Sequence, residues 1–344
     1  MILVTGASGF VGSAVLKHFI DRGLEVAGMV RFSSDLKRLR EKRIHLRYAD
    51  LNSFPQLVKA MDGSRVVVHC AARSLDYGRK IEFLQTNVLG MKSLVRAAAA
   101  AKSVKKVVYV STANVAGFGK RNMSEMNGQE KKPFFTYSNS KLQGEIIARD
   151  LCREEGMECH VLRPSAVYGP EDWKWSYKMI ERIARSYWPL IDGGKAVFTP
   201  VFIENLCRAI ELAVERGNTD SALNITDDVT VSWRSFAEKI AHCLGVTPIF
   251  KTIPSPLALC LGALVGSTHR IFMPSTDPNI TLYRVIRSSR DFHYSCDRAK
   301  ELLSYMPDRN IDSHLQKTVE WYRTVTENQV SSQKSGEGLG GKEL

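Results

Sequence analysis

The chain has 344 residues, 44% of them hydrophobic and 24% charged, which is enough apolar material for one large domain or two modest ones. Its net charge of +12 favours acidic partners, but the densest basic run, LKRLREKR at 36–43, reads as one exposed helix and is too short for a nucleic-acid-binding arm. Seven cysteines with no CxxC pair and eight histidines with no HExxH spacing give neither a disulfide framework nor a metal site, and suit a reduced cytoplasmic compartment.

The first strand, ILVT (2–5), begins almost at residue 1 and leaves no room before it for a signal peptide. β-Branched runs predict further strands at EVAGMVR (25–31), IHLRYAD (44–50), RVVVHCA (65–71), KVVYVST (106–112) and ECHVLRP (158–164). Helical periodicity fills the gaps, in FVGSAVLKHFIDRG, SSDLKRLREK, SFPQLVKAMDG, the stretch from about 80 to 102, and SNSKLQGEIIARDLCREEG. This alternation predicts an α/β fold: a doubly wound parallel sheet of Rossmann type with right-handed crossovers. That domain is expected over 1–168, with returns to the sheet near 195–225.

After Pro164 the pattern loosens. Gly169-Pro170, the segment WKWSY, and Pro254, Pro256 and Pro274 punctuate shorter elements, predicting a smaller, mostly helical substrate region over 169–326. PLALCLGALVG (256–266) is too short to span a bilayer and is expected as a buried helix, or at most an interfacial one. From about Glu327 to Leu344 the composition is Gly-, Ser- and Lys-rich, and a disordered tail is expected.

VTGASGFVG (4–12) lies between the first strand and the first helix. Gly6 permits a tight turn, Gly9 admits a pyrophosphate close to the backbone, and Gly12 lets the helix approach the strand, with phosphates at the helix N-terminus. The second strand ends in MVRFSSD. An NAD enzyme carries Asp or Glu here for the ribose hydroxyl; this chain has Val30 and Arg31, with Ser33, Ser34, Lys37 and Arg38 behind them. Cations without a carboxylate suit a 2′-phosphate, so NADP is expected and NAD is the alternative; Arg31 lying over adenine is the other reading of that residue. Asp50 in YADL is placed either to bond the adenine amino group or to cap the following helix. Finally, TYSNSK (136–141) sets Tyr137 and Lys141 four residues apart, on one face of a helix.

Taken in order, TGASGFVG, the AD-L of 49–51, HCAA (69–72), TNVLGMKSL (86–94), VSTANVAG (110–117), YSNSK (137–141) and LRPSAVYGP (162–170) resemble the extended short-chain dehydrogenase/reductase family over roughly 1–325. MVRFSSDLKRL (29–39) and HYSCDRAKELLSYMP (293–307) are similar to its 3β-hydroxysteroid dehydrogenase and dihydroflavonol-reductase-like branch. The resemblance implies Tyr137 as general acid/base and Lys141 as its partner. A cation one turn away, together with a positive nicotinamide, would draw a phenol that titrates near 10 toward working pH. It implies Thr112 as the hydroxyl that holds the reacting oxygen, with Ser111 as a runner-up facing the other way, and Asn87 as the residue fixing a water beside the lysine. Cofactor contacts are implied at Gly6, Gly9, Phe10, Val11, Gly12, Leu51, Ala71, Ala72, Tyr137, Lys141, Pro164 and Val167, joining Arg31, Arg38 and Asp50.

Ala113-Asn114 stands where a dehydratase commonly has Asp-Glu, and Asn205 in FTPVFIENLCRAI (198–210) where many sugar enzymes have Asp. The expected function is therefore NADP-dependent interconversion of a secondary alcohol and a ketone on an apolar (sterol-like, polycyclic or long-chain) substrate. A nucleotide-sugar epimerase holding NAD tightly is the alternative, and a non-catalytic NADP-binding regulator a further one. The resemblance also suggests a homodimer through the helices near 80–102 and 138–155. The apolar run with His269, Arg270 and the surplus positive charge suggests peripheral contact with an anionic membrane through 255–275.

Overall fold

Runs of Val and Ile that are apolar at every position need cover on both faces, which a parallel sheet between two helical layers provides. The computed structural model of the protein describes residues 1–39, 44–126, 133–217, 221–272, 278 and 280–337, the side chains of 270–272 and 330–337 excepted. The first half runs β1 (Ile2–Thr5), α1 (Phe10–Asp21), β2 (Val26–Val30), β3 (His45–Tyr48), α2 (Phe54–Met61), β4 (Val66–His69), α3 (Lys80–Phe83), a wide π-turn segment (Leu84–Leu89), α4 (Gly90–Ala100), β5 (Lys106–Val110), β6 (Lys120–Met123), α5 (Thr136–Glu154) and β7 (Glu158–Pro164). The second half runs β8 (Ala166–Tyr168), α6 (Ser176–Ala184), β9 (Tyr187–Ile191), β10 (Val197–Phe198), β11 (Pro200–Phe202), α7 (Ile203–Glu215), β12 (Ala222–Ile225), β13 (Val231–Ser232), α8 (Trp233–Leu244), β14 (Ile249–Ile253), α9 (Ser255–Phe272), α10 (Leu282–Ser289), β15 (Phe292–Tyr294), α11 (Asp297–Leu303) and α12 (Ile311–Glu337).

Among the described residues, seven strands make one parallel sheet in the order β12-β7-β5-β4-β1-β2-β3. Successive side chains feed opposite cores. Leu3, Val67, Val107 and Val161 pack into one, and Val4, Val68, Val108 and Leu162 into the other. From β1 the chain builds outward through β2 and β3, then crosses back to put β4 on the other side of β1. That reversal opens a crevice beyond the strand C-termini, where doubly wound sheets bind ligands. At the opposite end, buried Lys106 donates from Nζ to the carbonyls of Ala213 (3.4 Å) and Val214 (3.0 Å), placing a cation on the negative C-terminus of α7.

Past Tyr168, β12 rejoins the main sheet and β11 pairs with β8, while β13, β10, β15 and β6 form a small separate sheet. Three expectations need correction. Of the segment 33–42, residues 33–39 hold only a single tight turn, Lys37–Leu39, because Ser34 and Asp35 bond locally to the Arg31 and Lys37 N–H groups in competition with a helix; residues 40–43 lie outside the described residues. PLALCLGALVG is helical within α9 but is not buried, since Leu257, Leu261 and Leu264 are 54%, 37% and 63% exposed. The stretch from Glu327 read as a tail continues α12 as far as Glu337, since a helix already nucleated and packed by Leu315 and Val319 propagates at little cost; 338–344 lie outside the described residues, as does Pro274.

Candidate active site

The turn after β1 exists because its glycines cannot be replaced. Gly6 has φ +66°, and a Cβ there would lie 2.7 Å from the Ala71 backbone at the end of β4; a Cβ on Gly12 would lie 2.2 Å from the Gly6 carbonyl oxygen. The tight closure leaves α1 starting from Gly9 with no side-chain cap and no acidic residue in its first turn. Free N–H groups and the positive helix end thus face the crevice, as a pyrophosphate requires.

The crevice has a volume of about 660 Å³, within the range of a cofactor site. Its lining brings together Gly6, Gly9, Phe10, Val11 and Gly12 with Ala71 and Ala72, then Arg31, Arg38, Asp50 and Leu51, and Thr112, Tyr137, Lys141, Pro164 and Val167. Every residue proposed from the sequence for cofactor or catalysis reaches this one cleft except Asn87.

The two arginines differ in what they do. Arg38 donates to the Ser8 carbonyl (3.2 Å) and the Glu171 carbonyl (3.1 Å), strapping the glycine turn to the segment after β8. Arg31 is exposed, and among the described residues its guanidinium is committed to nothing, with the Ser34 hydroxyl close by its backbone. Asp50 accepts the Asn52 N–H at 2.8 Å, and the N-cap of α2 is Ser53, so Asp50 does not cap that helix.

Tyr137 sits in the first turn of α5 and Lys141 one turn deeper, only 2% exposed. Thr112, just past the end of β5, lines the cleft beside Tyr137, and its hydroxyl accepts the Asn114 N–H at 3.3 Å. Lys141 does not reach the phenol. Its Nζ donates to the Val110 carbonyl at 2.7 Å and lies over the Tyr109 ring, 4.2 Å from its centre. Burial pushes the Tyr137 phenol well above its ordinary value, and Tyr283 adds to this, while Thr112 and Arg287 pull the other way. Burial likewise drives Lys141 down to about 7, against the opposing effect of Glu145 and Cys70. The expected lowering of the phenol by Lys141 is therefore absent in the protein alone: desolvation outweighs a cation that bonds elsewhere.

Asn87 lies in the π-turn segment and its side chain is fully used. Its Oδ1 accepts the Arg73 N–H (2.8 Å), and its Nδ2 donates to the Arg73 carbonyl (3.3 Å) and the Ser140 hydroxyl (2.9 Å). It braces the strand-β4 loop against α5 rather than pointing into the cleft. The Ser111 hydroxyl donates to Glu145, which forms a buried ion pair with Arg163 at 2.6 Å. Glu145 follows Lys141 by one turn, a spacing visible in the sequence. The substrate side of Tyr137 could not be read there. Asn114 Nδ2 donates to the Tyr283 hydroxyl at 2.7 Å, and Tyr283 stands edge-on to Phe118 and Phe135, joining residues about 150 to 170 positions apart. WKWSY divides: Trp173 lines the cleft while Trp175 packs against Phe236. Among the described residues no group of three His, Cys, Asp or Glu could hold a metal ion, and all seven cysteines are free.

Known proteins share this sequence pattern and fold. The family model described as NAD dependent epimerase/dehydratase family matches residues 2–226. A 4-hydroxy-2-methyl-3-oxo-4-farnesyl-3,4-dihydroquinoline-1-oxide ketoreductase of Stigmatella aurantiaca is 27% identical over 88% of this chain and 90% of its own. The human sterol-4-alpha-carboxylate 3-dehydrogenase, decarboxylating, is 26% identical over 93% of this chain and 87% of its own. The UDP-glucose 4-epimerase structure from Thermotoga maritima superposes with a TM-score of 0.77 at 21% identity, covering 94% of this chain and 99% of that one, which speaks for the fold alone.

Proposed function

Because this chain belongs to the NAD-dependent epimerase/dehydratase family and is an NAD(P)-dependent oxidoreductase of the extended short-chain dehydrogenase/reductase type, we propose that it interconverts a secondary alcohol and a ketone on an apolar substrate, with NADP as cofactor. The observation that carries this reading is the meeting of Thr112 and Tyr137 on one cleft wall, with Lys141 buried one turn below. The uncapped start of α1 fits the cofactor's pyrophosphate, and exposed Arg31, uncommitted among the described residues, fits a 2′-phosphate. When bound, the cofactor supplies or accepts the hydride.

In the reducing direction Tyr137 gives its phenolic proton to the substrate oxygen as that oxygen gains charge, and in the oxidising direction it takes the proton back. Thr112 holds that oxygen and the phenol in register. Lys141 fills the space beneath, donating to the Val110 carbonyl and lying over the Tyr109 ring. Phe118, Phe135 and Tyr283 wall the substrate side with rings, suited to an apolar alcohol or ketone such as the farnesylated quinoline and sterol named for the two relatives. Asn114 offers no carboxyl for dehydration and is already bonded to Tyr283.

Two associations belong to this reading. The chain dimerises through α3–α4 and α5, which leave Ile81, Leu89 and Ile146 about half exposed. It rests on anionic membrane through Leu257, Leu261 and Leu264 of α9, near a substrate that partitions there; no helix among the described residues is long and apolar enough to cross one. The test is to purify the protein, identify any retained cofactor, and follow nicotinamide absorbance with apolar ketones and either NADPH or NADH. Exchangeable NADP and steady turnover are expected; NAD released only on denaturation, with no net turnover, would overturn the reading in favour of an epimerase.

A further inference from the structure

The turn between β8 and α6 adds Asp172, Trp173 and Lys174 to the lining of the cleft that also holds the glycine turn. It leaves β8 through Gly169, at φ +146°, and Glu171 follows at φ +67°, a left-handed backbone that a residue other than glycine keeps only when its surroundings fix it. The surroundings here are ionic. Lys17 of α1 pairs with the Glu171 carboxylate at 2.5 Å. Arg38 donates both to the Glu171 carbonyl (3.1 Å) and to the Ser8 carbonyl inside the glycine turn (3.2 Å). Two cations, 154 and 133 positions earlier in the chain, thus converge on one residue.

The rest of the turn is stiff. Buried Asp172 accepts the N–H groups of Lys174 (3.1 Å), Trp175 (3.3 Å) and Ser176 (2.8 Å) and the Ser176 hydroxyl (2.9 Å), so residues 172–176 hold together as one piece. Within that piece, the Trp173 ring lies 4.9 Å from Tyr177 of α6 and stands edge-on to Trp321 of α12 at 5.1 Å. It is nevertheless 36% exposed, and it lines the cleft. An indole braced by two rings and left one-third open has apolar surface to offer a ligand. Proton transfer at Tyr137 gives Trp173 no role. The uncapped start of α1 faces the same cleft, so the ligand that Trp173 meets is the dinucleotide held there.

We propose that residues 171–174 clamp the cofactor, with Trp173 as a direct contact to it and the Lys17–Glu171 ion pair as the latch that breaks when the cofactor leaves. The claim rests on the nicotinamide-dinucleotide reading of the cleft, and it adds a control of exchange that the glycine turn does not supply. The latch is one ion pair whose side chains are 21% and 33% exposed, so it opens without disturbing the sheet, as a cofactor replaced in every turnover requires. The clamp acts on NADP and NAD alike, whereas Arg31 chooses between them.

The experiment loads the full chain with NADPH, chases with excess NADP⁺, and follows release by the fluorescence of the reduced nicotinamide. Lys17→Met and Glu171→Gln should each speed release about two- to five-fold, the worth of an ion pair of this exposure. Exchanging the charges, Lys17→Glu with Glu171→Lys, should return most of the loss. Trp173→Ala should speed release about ten-fold or more, and Trp173→Phe by less. NADH should show the same ratios. Raised salt should hasten release from wild type more than from Lys17→Met, which has no latch left to screen. A second readout needs no release: bound NADP⁺ should shield a tryptophan from acrylamide quenching in wild type, and that shielding should vanish in Trp173→Phe. A wild-type release rate in either Lys17→Met or Trp173→Ala would overturn the clamp, as would shielding that survives in Trp173→Phe; each leaves the dinucleotide reading standing. A wild type that takes up neither NADPH nor NADH would overturn both.

Discussion

Replacing Arg31 by Ala separates the two arginines, Arg31 and Arg38, that line the cleft. Arg31 is the exposed cation with no commitment among the described residues, whereas Arg38 already donates to the Ser8 and Glu171 carbonyls. A charged hydrogen bond to a 2′-phosphate contributes about 1.5–3 kcal/mol, so Arg31→Ala should raise the Kd for NADP about ten- to a hundred-fold. NAD lacks that phosphate and its Kd should move by less than about three-fold, under 1 kcal/mol. Arg38→Ala should instead weaken both cofactors alike, because what it loosens is the strap from the glycine turn to the segment after β8. Titrating protein fluorescence with each cofactor, at low and at high salt, reads all of these constants. Since Arg31 is exposed, the NADP advantage should shrink as salt rises. Equal weakening of NADP and NAD by Arg31→Ala would assign Arg31 to the adenine ring and remove the basis for NADP.

The buried pair Glu145–Arg163, 3% and 4% exposed, gives a stability test: Glu145→Ala should cost about 3–5 kcal/mol in urea unfolding by stranding the guanidinium, while Glu145→Met with Arg163→Met costs far less; equal losses would contradict it. Lys141, driven down to about 7 in the fold by burial, binds its proton more weakly there than in the unfolded chain. The unfolded state therefore holds the extra proton from about pH 7 to 10, and this group makes the fold gain stability as pH rises through that window, at up to about 1.4 kcal/mol per pH unit. Lys141→Met should lose that gain, and parallel stability–pH curves for the two proteins would refute the assignment. Exchanging Leu257, Leu261 and Leu264 for Ser should abolish co-sedimentation with anionic vesicles while leaving turnover of a dispersed substrate unchanged; no binding by the wild type would leave α9 without a membrane role.

The sheet was readable because β4 and β5 are unbroken apolar runs between helical periods, and such runs settle parallel pairing without long-range information. The glycine turn, Thr112, Tyr137 and Lys141 were readable because each sits at a strand end or helix start, where position along the chain fixes position in the cleft. What escaped depends on contacts distant in sequence. Asn87 reads as a polar residue near a lysine, and only the fold shows its side chain spent on Arg73 and Ser140. The protein's Lys141 bonds to a carbonyl rather than to the phenol, a choice that helical spacing cannot express. Tyr283 and Arg287 come from a Pro-punctuated region whose short helices have no neighbours until the small sheet assembles. The exposed leucines of α9 look in the sequence like any buried helix, since an apolar run does not reveal what covers it.

The central claim is that Tyr137 moves the proton of an alcohol–ketone interconversion, and Tyr137→Phe tests it most directly. The ring and its packing survive this change, and only the phenolic oxygen is lost. With NADPH and an apolar ketone under single-turnover conditions, the rate should fall by about 10²–10⁴-fold while NADP affinity stays within a few-fold. A variant that turns over within about ten-fold of wild type would contradict the account, because the proton would then come from another group.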